Sequence, residues 1–141
     1  MAITRFRGEH RFLSNFWPAP VKFDGEVYAT VEHAYQASKT TNREDRQRIR
    51  NCKTPSQAKS MGKKIDLRLN WEDDRVTTML QLVLKKFYRG SDLAEMLLET
   101  GEQILIEGND WGDEYWGVCN GKGCNFLGEI LMIVRKVLAD G

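Results

Sequence analysis

The sequence predicts a predominantly helical domain that carries one small β hairpin, and three observations lead there. The run Val76, Met79, Leu80, Val83, Leu84 and Phe87 repeats at i, i+3, i+4 and i+7, which is the period of an amphipathic helix. Three other stretches open on Thr30, Thr54 and Ser91, hydroxyl residues suited to capping the first turn of a helix. Asp24-Gly25 stands between the β-favouring stretches Val21 to Phe23 and Glu26 to Tyr28, a strong two-residue turn signal. At 141 residues, with 41% hydrophobic and 29% charged side chains, the chain suits one packed core.

Taken in order, Ile3 to Phe16 mixes aromatic and charged residues without a helical period, and the hairpin follows it. Thr30 then offers its hydroxyl to an otherwise orphaned backbone N–H of VEHAYQASK, so a helix is expected from Thr30 to Lys39. Arg43 to Asn51 is charged and weakly periodic. Thr54-Pro55 pairs a cap with a proline at the first helical position and opens Ser56 to Lys63. Both read as short surface helices. The periodic run after Trp71 is expected to be the central core helix. Arg89-Gly90-Ser91 stops it and caps another helix, with Leu93, Met96 and Leu97 facing inward as far as Gly101. Gln103 to Glu107 is short and β-branched enough for a strand. Gly108 to Gly123 reads as a long irregular loop, and Asn125 as the cap of a last helix, Phe126 to Leu138. No repeat, low-complexity segment or linker suggests a second domain.

Composition excludes several function classes. Lys plus Arg number 21 against 20 for Asp plus Glu, so a formal charge of +1 gives no whole-molecule attraction to nucleic acid or to an anionic membrane. Any anion binding must be local. Three cysteines, Cys52, Cys119 and Cys124, form no CxxC pair, and only His10 and His33 could join them on a metal. Neither a disulfide framework nor a zinc site is expected. The start MAITRFRGEHRF has charges where a leader needs apolar residues, and Ile130 to Val134 is too short to span a bilayer, so a cytoplasmic protein is expected.

Four stretches could carry chemistry. On the helix from Val31, positions 31, 34, 35 and 38 form a small-residue stripe, and Glu32, Gln36 and Lys39 form an acid, amide and base row beside it. Such a row borders a cleft, although an acid in the first turn and a base in the last also simply complement the helix dipole. In NDWGDEYWG, Trp111 and Trp116 are suited to stacking on a planar heterocycle, among Asp113, Gly117 and other polar or flexible residues. The alternative is that they anchor the loop. Gly121-Lys122-Gly123-Cys124-Asn125 could hold a phosphate at the start of the last helix, with Lys122 adding charge, or could be a flexible connection. In FLSNFW, Ser14 and Asn15 are placed to reach a ligand while Phe12 and Phe16 anchor the segment; a turn in which Asn bonds its own backbone is the commoner arrangement.

The order FLSNFWP, VKFDGEVYATVEHAYQASK, SQAKSMGKK, WGDEYWG, GKGCNFLGEILMIVR resembles the YbiA-like, or NADAR, superfamily over nearly the whole chain. The resemblance implies an α+β, predominantly helical single domain with a small antiparallel sheet, and N-glycosidase activity on ribosides. Some members act on phosphoribosylamino-pyrimidine intermediates of riboflavin synthesis, others on ADP-ribose adducts. Matched onto this sequence, the acidic helix motif falls on Glu32, His33 and Gln36, with the basic position at Lys39. The aromatic-acidic loop falls on Trp111, Gly112, Asp113, Trp116 and Gly117, and the glycine-lysine-glycine stretch on Gly121 to Gly123. Val118-Cys119-Asn120 departs from the Gly- and Asp-rich linkers of the riboflavin-type members, which leaves the substrate open.

Cleaving a riboside C–N bond passes through an oxocarbenium-like transition state and needs a carboxylate near C1′, an activated water and help for the departing nitrogen. Glu32 is the expected central acid and Asp113 the second. Ser14, Asn15, Phe16, Gln36, Trp111, Trp116 and Gly117 are expected to bind substrate, and Lys39, Lys122 and Arg5 to hold phosphate as charge-assisted donors. No metal or cofactor is required. The expected partner is a small nucleotide-like substrate. The alternatives are an ADP-ribosyl hydrolase acting on modified nucleic acid or a NAD-derived adduct, and a non-catalytic module that senses ADP-ribose.

Overall fold

The computed structural model describes residues 1–141, and the chain falls into two compact units, residues 15–86 and residues 1–14 with 87–141. In residues 15–86, strands β2 (Val21–Phe23) and β3 (Glu26–Tyr28) pair antiparallel with Phe23 opposite Glu26. Asp24 and Gly25 take φ of 52° and 87°, the left-handed pair that a two-residue hairpin needs. Helix α1 (Val31–Ser38) follows, and the Thr30 side chain accepts from His33 N at its start. Asn42 caps α2 (Arg43–Arg50), Thr54 caps α3 (Pro55–Gly62), and α4 (Trp71–Lys86) closes the unit.

The hub of this unit is α1 and not the periodic helix α4: α1 packs on α2, α3, α4, β2 and β3. All eight of its residues are buried. A helix buried all round is ordinarily apolar, whereas α1 takes Glu32, His33, Gln36 and Ser38 inside. Most of those polar groups are matched. The His33 ring lies 2.7 Å from Thr30 Oγ1 and 3.0 Å from the Cys52 carbonyl, and Ser38 Oγ donates to Tyr35 O. Of the row expected to border a cleft, Glu32 and Gln36 are buried along with the stripe, and Lys39 is half-buried.

In the other unit, β1 (Ala2–Ile3) runs parallel to β4 (Ile104–Leu105), and a 3-10 turn, Gly8–Leu13, buries Phe12 and Leu13. Ser91 caps α5 (Asp92–Glu99), which packs on α6 (Phe126–Asp140) around Leu97, Leu131 and Val134. The expected irregular loop contains a second parallel pair, β5 (Gly108–Asn109) with β6 (Val118–Cys119). Asn125 stands at the N-cap of α6 as expected, but its side chain does not do the capping. It adopts φ 54° without a capping side-chain bond; its Oδ1 accepts from Glu107 N at 2.9 Å and its Nδ2 donates to Leu105 O at 2.9 Å. It therefore ties the end of β4 to the start of α6. No helix is long and apolar enough to cross a membrane.

Candidate active site

The site is best built outward from the first turn of α1. The Asn15 carbonyl accepts from Glu32 N at 3.2 Å, and Asn15, itself buried, reaches Met79 Sδ with its Nδ2 at 3.4 Å. Asn15 thus serves as a support for Glu32 through its backbone. Phe16 beside it is 40% exposed. Glu32 is only 8% exposed, so its carboxyl is not the ordinary solvated group that a first-turn glutamate would normally be. One turn later, Gln36 Nε2 donates to Glu32 Oε2 at 2.6 Å, which fixes the carboxyl in one orientation.

Gln36 is itself held by α3. Gly62 lies so close that a Cβ there would fall on Gln36 Oε1 and within 2.7 Å of its Cδ. Oε1 is buried and has no hydrogen-bond partner. An unmatched buried acceptor costs about 1–3 kcal/mol, and such groups in native structures concentrate where a ligand or a catalytic constraint uses them. Sequence reasoning missed Gly62. The available signal was a glycine inside a helical run, where it costs about 1 kcal/mol against alanine. Gly62→Ala is expected to push Gln36 off Glu32 and lower kcat about 10–100-fold, since small misplacements at a reacting centre cost that much. Unchanged steady-state kinetics in that variant would contradict the assignment.

Lys39, the third member of the row, follows α1 directly and is half-buried, with Nζ 5.6 Å from the Tyr35 ring centre. Burial pushes its pKa below the ordinary lysine value; Glu32 opposes the shift, and Lys59, Lys63 and Arg75 add to it. The structure therefore gathers the acid, amide and base that the spacing predicts, and it adds three cations from α3, the residue that follows it, and α4.

The residues expected from the other unit have a different character. Asp113 Oδ1 accepts from Tyr115 N at 3.0 Å and from Trp116 N at 2.9 Å, while Asn109 exchanges side-chain bonds with both the N–H and the C=O of Asp113. Its carboxylate organises the loop, and that geometry weighs against a second catalytic acid. Trp116 packs edge-on to Tyr115 with centroids 4.9 Å apart and lies 6.5 Å from Phe126, so it is an anchor; Trp111 is 56% exposed. Gly117 is needed because a Cβ would meet Glu107 Oε2, the Glu107 carbonyl and Asn109 Nδ2. Ser14 closes the 3-10 turn with its N–H on Arg11 O.

The phosphate cradle expected before α6 is corrected. Cys124, Asn125, Phe126 and Leu127 already donate their backbone N–H groups to the carbonyls of Glu114, Gly117, Tyr115 and Trp116. These four donors are therefore engaged within the protein and are not offered to an anion. Lys122 sits on a tight turn, exchanging both backbone bonds with Cys119, and its side chain is exposed. Arg5 makes a two-pronged pair with Asp110 at 2.9 and 3.1 Å.

The sequence and the fold have known counterparts. A model of the NADAR domain matches residues 4–139. The N-glycosidase YbiA of Shigella flexneri serotype 5b is 39% identical over 130 residues, covering 90% of this chain and 81% of that protein. A riboflavin biosynthesis protein of Vibrio vulnificus is 34% identical over 134 residues, 93% of this chain but 36% of that longer protein. The NMR structure of Escherichia coli YbiA superposes with a TM-score of 0.86 at 34% identity, covering 99% of this chain and 84% of that one. The helical α+β fold with its small sheets, and a family match that runs through both units, together mean that this chain belongs to the NADAR domain family.

Proposed function

We propose that this chain hydrolyses the C–N glycosidic bond of a phosphorylated riboside of the phosphoribosylamino-pyrimidine kind, with Glu32 as the central acid. The protein is a hydrolase of N-glycosyl compounds, as its YbiA-named relatives are, and the riboflavin name of the Vibrio relative supports the pyrimidine riboside over other sugars. The observation that carries the reading is the buried Glu32–Gln36 pair with Lys39 one turn on. As the C–N bond lengthens, positive charge develops at C1′ and the ring oxygen. A carboxylate in a water-poor setting stabilises that charge strongly and can take a proton from the attacking water. Gln36 keeps the carboxyl oriented, and Lys39 supplies a charge-assisted donor to phosphate. None of these steps calls for a metal or an organic cofactor.

The test is a substrate panel read by mass spectrometry: phosphoribosylamino-pyrimidines, NAD and ADP-ribosylated guanosine, each incubated with the protein. Release of the free pyrimidine and ribose 5-phosphate from the first group is expected. Turnover confined to ADP-ribosylated guanosine would replace this reading with ADP-ribosyl hydrolysis. Tight calorimetric binding with no turnover over hours would replace it with a sensing module.

A further inference from the structure

Two arginines of α2 fasten the β2–β3 hairpin to that helix. Arg46 donates Nη1 to Asp24 at 2.6 Å and Nε to the Thr40 carbonyl at 2.7 Å, and its guanidinium lies over the Phe23 ring at 5.1 Å. Arg50 donates Nε to the Val27 carbonyl at 2.7 Å and pairs with Glu26 at 3.4 Å. Between hairpin and helix remains a cleft of about 410 Å³. The hairpin lends it Asp24, Glu26 and Tyr28, and the start of α2 lends it Thr41, Arg43 and Arg46. Glu32, Gln36 and Lys39 take no part in the lining. Small-molecule sites run from about 300 to 1,000 Å³, so this cleft has room for one substituted ring.

Tyr28 marks the cleft as more than a surface hollow. The residue is 2% exposed and its ring packs on Phe23 with centres 6.4 Å apart, yet its hydroxyl has no hydrogen-bond partner in the protein. A buried tyrosine ordinarily pairs its O–H, because an unmet polar group out of water is destabilising. Phenylalanine would fill the same space without that cost, and the hydroxyl on the cleft wall is therefore offered to an occupant.

Charge decides which class of occupant fits. Two carboxylates, Asp24 and Glu26, stand against two guanidiniums, Arg43 and Arg46, so the lining is formally neutral. An anion would meet the carboxylates and a cation the guanidiniums. Donors and acceptors are nevertheless both left over. Arg43 and the Thr41 hydroxyl have no partner, and Asp24 Oδ1 and Glu26 Oε1 are the oxygens that Arg46 and Arg50 do not use. A hydroxyl group both donates and accepts, so a ring bearing several of them can satisfy carboxylate, guanidinium and Tyr28 together.

We propose that the cleft between the hairpin and α2 is a second ligand site, separate from the Glu32–Gln36–Lys39 row, that binds a neutral polyhydroxylated molecule of pentose size with the Tyr28 hydroxyl bonded to one of its hydroxyls. The site stands whether or not Glu32 is the central acid.

The test is NMR titration of the ¹⁵N-labelled full chain with ribose and with ribose 5-phosphate, for wild type, Tyr28→Phe and Glu32→Gln. Ribose is expected to shift the amides of residues 24–28 and 41–47 saturably in wild type and equally in Glu32→Gln. Tyr28→Phe is expected to weaken that binding about 10-fold, the scale of one hydrogen bond. Its denaturation midpoint is expected to equal or exceed that of wild type, since the hydroxyl satisfies nothing inside the protein. No saturable shift at these amides, shifts with ribose 5-phosphate alone, or loss of the shifts in Glu32→Gln overturns the site. So does Tyr28→Phe with unchanged affinity, or with a lowered midpoint, which would give the hydroxyl a structural role instead.

Discussion

Glu32→Gln is expected to fold as wild type does, to bind substrate and to lose about 10²–10⁴-fold in kcat, the range that a positioned acid or base contributes. The fold should survive because the new amide still offers an oxygen to Gln36 Nε2, and because the Glu32 backbone N–H still donates to Asn15 O. In the proposed mechanism, what disappears is the negative charge that stabilises C1′ and the ability to take a proton from water. Single-turnover kinetics beside calorimetry separate the two effects: substrate affinity within a few-fold of wild type, with chemistry arrested, is the expected pattern. Full activity in the variant would eliminate Glu32 as the central acid.

The second large effect concerns stability. Lys86, at the end of α4, is 2% exposed, and its burial lowers its pKa to about 7. In the unfolded chain a lysine titrates near 10.4. Between about pH 7 and pH 10.4 the unfolded chain therefore holds a proton that the folded chain has released, so stability rises with pH across that window. Below the window both states are charged and the cost of burying the charge is felt in full, on the order of 4 kcal/mol. Chemical denaturation of wild type and Lys86→Met from pH 6 to 10 is expected to show a rising component in wild type that the variant lacks. Comparing the two curves matters, because Lys39 also has a lowered pKa and acts in the same direction, while burial raises that of Tyr28 and acts oppositely at the alkaline end. Parallel curves for the two proteins would refute the role given to Lys86.

The activity and stability predictions differ in how they could be found. Glu32, Gln36 and Lys39 were legible because helix periodicity alone puts them on one line, and the family resemblance singled that line out. Lys86 carries no such mark: it ends a run of charged and apolar residues, and a lysine there would ordinarily be solvated. Asp113 and Trp116 were legible as members of a functional loop, yet the structure gives both of them local work, in an Asx-type turn and in an aromatic cluster with Tyr115 and Phe126.

By itself the sequence determined what is decided within three or four residues. The hydroxyl caps at Thr30, Thr54 and Ser91 and the Asp24-Gly25 turn all act through bonds to near neighbours in the chain, and all appear in the structure as expected. Tertiary structure alone decided what depends on distant segments meeting. It buried α1 on every side, pressed Gly62 onto Gln36, engaged the amides of Cys124 to Leu127, and gathered Lys59, Lys63 and Arg75 around Lys39. The physical reason is range. A cap or a turn is satisfied by its neighbours in the chain, whereas burial and charge convergence depend on which surfaces exclude water together.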